Sequence, residues 1–560
     1  MRADGDALVF RRTMIGLLGV LVLSPVGLII YQSFLDGPFF FSTAGFSLSA
    51  FGYVFSDPDF YRALWTTAVF AVGLVAIAVP LGAALAFLLT RTDIKGRSWI
   101  EPVLLVPMFL SALVLGFGYT VSVGPSGFVS LAVQDVIGFV PWNIYGLPSL
   151  IIIGGLSHVP YVYLYVSSAM RNLPADLEEA ARTMGASLPR IAMEVTLPLV
   201  LPALVYGAAL NFLLAFESFG LPLVLADPSG VLVLTTYLYK LTTLLGVPSY
   251  HLMAAVAVLL LIVTLPLVAI QRRLLDRSRR YATVGGKGGR PTRIKLGTTG
   301  QICALSAIGL WLVVSVLLPI SGIAVRAFVD SWGQGVDLVE HLTLANFQQL
   351  FKISSLSRGL VNTALIAVFG GAIAVAVYLV VALAGHRNTS FAAVALDYMV
   401  LLPRALPGLV IGLAFFWLFL FVPFLSPLRA TLVSLLIAYV VVGLSYGLRM
   451  IQSTLLQVSP ELEESARTSG ANLRRSWTEI VIPIVRPGLF GAWAMIMIIF
   501  LREYATGVYL MTSGTEVIGS LIVSLLASGD LATIAALSLI SVTFTALGLA
   551  VAFRFGAYGK

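Results

Sequence analysis

Apolar runs of about 20 residues, each long enough to cross a bilayer as a helix, recur along the whole chain. Twelve are read, near 14–34, 64–90, 101–122, 148–169, 201–225 and 250–270, and then near 302–325, 360–385, 396–422, 430–448, 488–511 and 532–554. No gap between them is large enough for a sizeable soluble domain. The pattern predicts an all-α membrane protein of twelve transmembrane helices. The first run follows Arg11 and Arg12 and lacks a small-residue cleavage site. It reads as a retained span and not as a signal peptide.

The chain repeats itself. LEEAARTMGASLPR at 177–190 returns as LEESARTSGANLRR at 462–475, an offset of 285 residues (177 to 462). Upstream the offset is 296: Phe51 and Phe55 pair with Phe347 and Phe351, Arg62 with Arg358, Pro107 with Pro403 and Gly116 with Gly412. The first copy therefore carries an insertion between Gly116 and Ser149. Each copy holds six spans, an even number, so the repeats run parallel and not inverted. The halves are read as 1–270 and 301–560, joined by a basic, glycine-rich cytoplasmic linker at 271–300.

Composition narrows the classes. Of 560 residues, 59% are hydrophobic and 11% charged, against roughly 45–50% and 25% in soluble domains. That excludes a cytosolic enzyme, a secreted disulfide scaffold, a nucleic-acid binder and a disordered chain. Cys303 is the single cysteine, and with four histidines it leaves little for a metal site. The net charge of +8 matters less than its location. Arg91, Lys95, Arg97, Arg171, Arg182, Arg190, Arg387, Arg467, Arg474 and Arg475 fall on the same side as the linker, which holds Arg272, Arg273, Arg277, Arg279, Arg280, Lys287, Arg290, Arg293 and Lys295. The opposite loops 124–147 and 513–531 hold no base. The positive-inside rule then places both termini in the cytoplasm. Lys287 sits among glycines, but no Gly-Lys-Ser/Thr follows and no strand precedes. The chain thus offers no phosphate-binding loop of its own.

The repeated polar loops, 171–198 and 456–483, carry the function. Their pattern is Glu-Ala-Ala, three residues, Gly, nine residues, aliphatic, any residue, aliphatic-Pro. The first copy supplies Glu179, Ala180, Ala181, Gly185, Val195, Leu197 and Pro198; the second supplies Glu464, Ser465, Ala466, Gly470, Ile480, Ile482 and Pro483. The spacing predicts a short helix. Ser459 suits its cap and Pro460 its first position. Acids occupy the first turns, where the helix dipole favours them, and Gly185 or Gly470 ends it in the left-handed conformation. A second short helix leads to the next span, so each loop makes a rigid knob.

These loops resemble the EAA loop of the membrane subunits of binding-protein-dependent ATP-binding-cassette (ABC) importers, which have the MetI-like fold. The resemblance covers roughly 62–268 and 358–553. It implies two parallel six-helix MetI-like repeats in one fused chain, seated in the cell (inner) membrane. It also implies that Glu179, Ala180, Ala181, Gly185, Glu464, Ser465, Ala466 and Gly470 dock on two copies of a cytoplasmic ABC ATPase. ATP would then sit on those partners, with no cofactor bound by this chain. A periplasmic or lipid-anchored substrate-binding protein would deliver the cargo. Ser465 departs from the family's alanine, small for small. The segments 216–241 and 501–526 resemble the iron(III) permeases of the family; thiamine, 2-aminoethylphosphonate and polyamine permeases share much of the same pattern.

Charges within a membrane are costly and usually face a cavity or a partner. Glu217 in the fifth run, with Arg502 at its repeat position (217 to 502) and Glu503 next to it, are candidates for lining the pathway. A structural pair at a helix end is the competing reading. His158, before Pro160, is a weaker pathway candidate, because a lone histidine in a helix more often bonds to a neighbour. Arg404, within Pro-Arg-Ala-Leu-Pro-Gly at 403–408, reads as structural. An ion-coupled secondary transporter would share twelve spans in parallel halves, but has no need of two matched EAA loops. A membrane enzyme would need a catalytic set, and none recurs at catalytic spacing.

Overall fold

In a computed structural model of the chain, residues 2–173, 176–243, 249–281, 293–386, 395–396, 398–400 and 402–554 are described. Helices occupy nearly every expected span. Among the described residues, eleven are long and apolar enough to cross a membrane, and the bent pair Tyr398–Ala405 and Gly408–Phe421, counted as one span, brings the number to twelve. Among the described residues there is no β-strand beyond isolated bridges. Lys287, Arg290 and Arg387, counted among the loop charges, lie outside the described residues, as do the side chains of Arg277, Arg279, Arg280 and Arg467.

Four runs are not single helices. The run at 101–122 divides into Arg97–Leu104, Val106–Phe109 and Ala112–Val123. At 396–422 the bend between the two pieces is 104°. The breaks match in register, since Ala112 and Gly408, 296 residues apart (112 to 408), both start a helix. Proline causes them. Pro107, Pro403 and Pro407 have no N–H to donate and clash with the preceding turn. The runs at 201–225 and 488–511 end as regular spans at Glu217 and Arg502, and a new short helix starts at Gly220 or Gly507.

The segment 513–531, expected as a loop, contains the helix Ile518–Ser528, and the first copy has its counterpart at Leu234–Thr243. A threonine on an earlier span holds the start of each. Thr67 Oγ1 donates to the Ala63 carbonyl (2.7 Å) and accepts the N–H of Leu234 (2.9 Å). Thr363 Oγ1 donates to Gly359 (2.7 Å) and accepts the N–H of Ile518 (2.9 Å). The insertion in the first copy includes a helix of its own, Phe128–Ile137. Trp142 Nε1 donates to the Val123 carbonyl at 2.9 Å beside it. The N-terminal part of the expected linker, 271–281, continues the helix Tyr250–Tyr281, and Ile294 near its other end pairs with Thr92.

The chain divides into two packing units. One comprises Met1–Val54, Leu245–Leu261 and Thr343–Lys560; the other comprises Phe55–Leu244 and Ile262–Leu342. They are composed differently from the sequence halves. In the first unit, the N-terminal helix Arg2–Ser33 packs against Gly371–Gly385 and Gly408–Phe421. In the second, Leu318–Ala327 packs against Ala112–Val123, where Ser122 Oγ donates to the Leu318 carbonyl (2.6 Å) and Tyr119 Oη to that of Val314 (2.9 Å). The second unit also contains the tight pair Pro58–Arg91 and Leu147–Arg171. Glycines permit the approach: a Cβ on Gly155 would lie 2.6 Å from Ile77, and one on Gly154 would lie 2.8 Å from Phe70. Small residues at a helix crossing are the usual route to close packing where no hydrophobic drive exists between helices.

Candidate functional site

Both repeated loops fold alike. The first forms the helices Asp176–Thr183 and Leu188–Ile191; the second forms Pro460–Thr468 and Leu473–Ser476. Gly185 and Gly470 turn the chain at φ 84° and 86°, as the sequence predicts. Past each glycine a wide-turn bond closes the helix: Ala186 N–H donates to the Ala181 carbonyl and Ala471 N–H to that of Ala466, both at 3.0 Å. Each second short helix passes into a five-residue π turn, Ala192–Thr196 or Trp477–Val481, before the next long span starts at Leu197 or Ile482. Pro198 and Pro483, second in those spans, leave a carbonyl without its usual donor. Arg190 to Glu194 and Arg475 to Glu479, each at 2.9 Å, brace the same turn on the exposed side.

Of the two adjacent glutamates of each loop, one is exposed and the other buried. Glu179 and Glu464 are exposed, together with Ala180, Ser465, Leu177 and Leu462. Met184 beyond them is 89% exposed. Ala181 is half-buried and Ala466 buried. Ser465, the departure from the motif, thus occupies an outward position where a hydroxyl costs nothing in packing.

Glu178 and Glu463, which the sequence did not single out, point inward. Glu178 is 6% exposed and its Oε1 lies 3.2 Å from Nε of Arg91, itself 1% exposed. This is a charge contact and not an aligned hydrogen bond. Oε1 takes its hydrogen bond from Thr196 Oγ1 at 2.7 Å. Glu463 Oε1 lies 3.0 Å from His386 Nε2. The signal was in the doublet itself: neighbours on a helix lie about 100° apart, so only one of two adjacent glutamates can share a face with the small, inward Ala181 or Ala466.

The profile described as "Binding-protein-dependent transport system inner membrane component" matches residues 78–281 and 379–558, well over half of the chain and once per repeat. The chain belongs to this family. It is a fused, two-in-one ABC permease of the MetI-like type. Its relatives include a ferric transport system permease protein of Actinobacillus pleuropneumoniae, 27% identical over 473 residues, which cover 83% of this chain and 67% of the relative. A probable ABC transporter permease protein of Sinorhizobium fredii is 25% identical over 495 residues, 86% of this chain and 84% of the relative. A molybdenum transport system permease protein of Escherichia coli is 28% identical over 167 residues, 30% of this permease and 72% of the relative.

Glu217, Arg502 and Glu503 lie at span ends, and His158 lies in the middle of Leu147–Arg171. Glu217 and Arg502 are each the last residue of a long span, and both are half-buried. Glu503 follows in an extended conformation; its Oε1 accepts the N–H of Thr506 at 3.0 Å and its carbonyl accepts from Tyr439 Oη at 3.2 Å. His158 Nδ1 bonds to the carbonyl of Gly154 one turn back, at 2.8 Å, and its ring lies 5.5 Å from that of Tyr161. Arg404 lies half-buried in a single tight turn, Leu402–Ala405. Among the described residues no group of three His, Cys, Asp or Glu is placed to hold a metal ion.

Proposed function

We propose that one copy of this permease forms a complete import pathway for iron(III), with Glu179 and Glu464 at the centre of two ATPase-docking faces. The observation that carries the docking assignment is the duplicated knob. Both loops present an exposed glutamate beside exposed aliphatic side chains on a short helix fixed by a left-handed glycine. Such a projecting face, apolar with one charge, suits a groove on a partner. Ala180, Ala181, Gly185, Ser465, Ala466 and Gly470 shape the two knobs. Two copies of an ABC ATPase would occupy them, and ATP hydrolysis would take place there. The repeats 1–270 and 301–560, joined by 271–300, then stand for the two separate permease chains of other importers. Both termini and both loops would face the cytoplasm, and a substrate-binding protein would dock on the opposite side.

Iron(III) as cargo is supported by relatives named for ferric transport that match 81–83% of this chain. A molybdenum permease matches a shorter stretch, and an oxyanion is the second reading. Glu217, Arg502, Glu503 and His158 would supply polar atoms along the pathway. The test is reconstitution. The permease, its ATPase and its binding protein in proteoliposomes should accumulate iron(III) only with ATP, in a complex of one permease and two ATPases. A complex of two permeases with two ATPases, or uptake without any ATPase, would sink this reading. Uptake of molybdate and not of iron would replace the cargo alone.

A further inference from the structure

Each loop helix is tied inward as well as exposed outward, and the tie runs through side chains that the docking face does not use. We propose that Glu178 and Glu463 are positioning residues that transmit the movement of the docked loops to the transmembrane helices. The inference rests on the loops being the ATPase-docking elements.

Glu178 joins three elements. It belongs to the loop helix Asp176–Thr183; Arg91 is the last residue of the 34-residue helix Pro58–Arg91; Thr196 closes the π turn at the start of Leu197–Glu217. One carboxylate thus fastens the knob to an earlier span, Pro58–Arg91, and to the start of the span after it. Solvent does not screen the contact, because both charged groups are almost wholly buried. Pulling them apart would strand two ions in a medium of low dielectric constant, which is far more costly than parting a surface pair. A knob fixed in this way cannot tilt on its own; a push on its exposed face moves Pro58–Arg91 and Leu197–Glu217 with it. The exposed braces Arg190–Glu194 and Arg475–Glu479 lack this property, since water replaces such contacts at little cost.

In the second copy the inward glutamate is tied to the end of one earlier span. Glu463 meets His386, which directly follows the helix Gly371–Gly385. The His386 carbonyl accepts from Arg11 Nη2 at 3.4 Å, and the Phe10 ring lies 5.6 Å from Trp477, where the second π turn begins. The second tie therefore includes the N-terminal helix as well.

The experiment uses the intact permease–ATPase complex in proteoliposomes with its binding protein, and reads uptake and ATP hydrolysis together. Glu178→Gln and Glu463→Gln should retain the ATPase in wild-type amount. Uptake per ATP hydrolysed should fall about tenfold, within the range that coupling residues distant from either ligand produce. Glu178→Asp, which keeps the charge, should recover part of it. A merely structural role would lower the yield of complex and leave uptake per ATP unchanged, which would overturn the proposal. Where Glu178→Gln fails to reach the membrane, Thr196→Val and the double variant Glu178→Met/Arg91→Met leave no new unpaired charge. Both should fold, bind the ATPase and be uncoupled; wild-type uptake per ATP in either overturns the proposal. The outward variants Glu179→Lys and Glu464→Lys separate the two readings. If they hold the ATPase and transport normally, the docking assignment fails and this inference falls with it. If they release the ATPase while the inward variants stay fully coupled, only this inference fails.

Discussion

Tyr378 fills the space that Gly447 leaves, and the repeat-equivalent positions Gly82 and Val162 make the same contact with large and small exchanged. A Cβ on Gly82 would lie 2.6 Å from Cβ of Val162; one on Gly447 would run into the Tyr378 ring. The positions correspond by the two offsets of the repeat (82 to 378 and 162 to 447). Tyr378 is fully buried, and its hydroxyl donates to the Val440 carbonyl at 2.6 Å. The Gly447→Val substitution should therefore destabilise the protein by overpacking, by about 1–3 kcal/mol or more. Adding Tyr378→Gly, which recreates the first-copy pair, should recover part of the loss. Thermal unfolding in detergent of the two single variants and the double variant would measure this; additive losses would show that the contact is not shared.

Thr67 and Thr363 hold the first N–H of a short helix from a neighbouring span. Replacement by valine keeps shape and removes the acceptor. Each change should cost about 1 kcal/mol and should speed amide hydrogen exchange in Leu234–Thr243 or Ile518–Ser528, respectively, without altering the other. Equal exchange in both variants and wild type would refute the capping role.

On the proposed docking face, Glu179→Lys or Glu464→Lys should release the ATPase from the membrane. Loss of a charge at a semi-buried interface typically costs about 2–5 kcal/mol. Gly185→Val and Gly470→Val should act through the backbone. No atom would obstruct the new Cβ at either glycine, so the cost is that of forcing a β-branched residue to φ 84° or 86°. The ATPase should remain partly bound but drive less uptake. Co-purification of the ATPase with each variant decides between the two mechanisms.

Glu516 gives a pH dependence of known sign. The Arg358 guanidinium, at 2.7 Å, holds its carboxyl below the usual carboxylate range, helped by the N–H of Gly514. A carboxyl depressed by folding adds stability that is fully present above its unfolded pKa, about 4.3. That stability is lost as pH falls through the lower folded value. Acidification below about pH 4 should therefore loosen the turn 511–517, which Asn362 also holds through the carbonyls of Gly514 and Glu516. Arg358→Met should flatten that dependence. Protease sensitivity of the turn against pH would measure it, and an unchanged profile in the variant would assign the effect elsewhere.

Much of this protein was legible in its sequence. The bilayer allows only a span whose backbone is satisfied internally, so apolar runs located the spans, although four of them proved broken or displaced. Duplication then exposed the EAA loops, because two matched polar segments stand out in a chain otherwise so apolar. The left-handed glycines at 185 and 470 followed from local chemistry alone. What the sequence could not decide was direction and partnership. Whether Glu178 or Glu179 turns inward depends on Arg91, 87 residues away (91 to 178), and on Thr196 beyond the loop. No local pattern records such a pair. The same holds for Thr67 with Leu234, for Arg358 with Glu516, and for the packing of Arg2–Ser33 against helices of the other repeat. Hydropathy is a property of each residue and its near neighbours, and it fixes which segments cross the membrane. A buried charge needs a counter-charge that only the packed chain can bring to it, so the tertiary structure alone decided which glutamate turned inward and which stayed exposed.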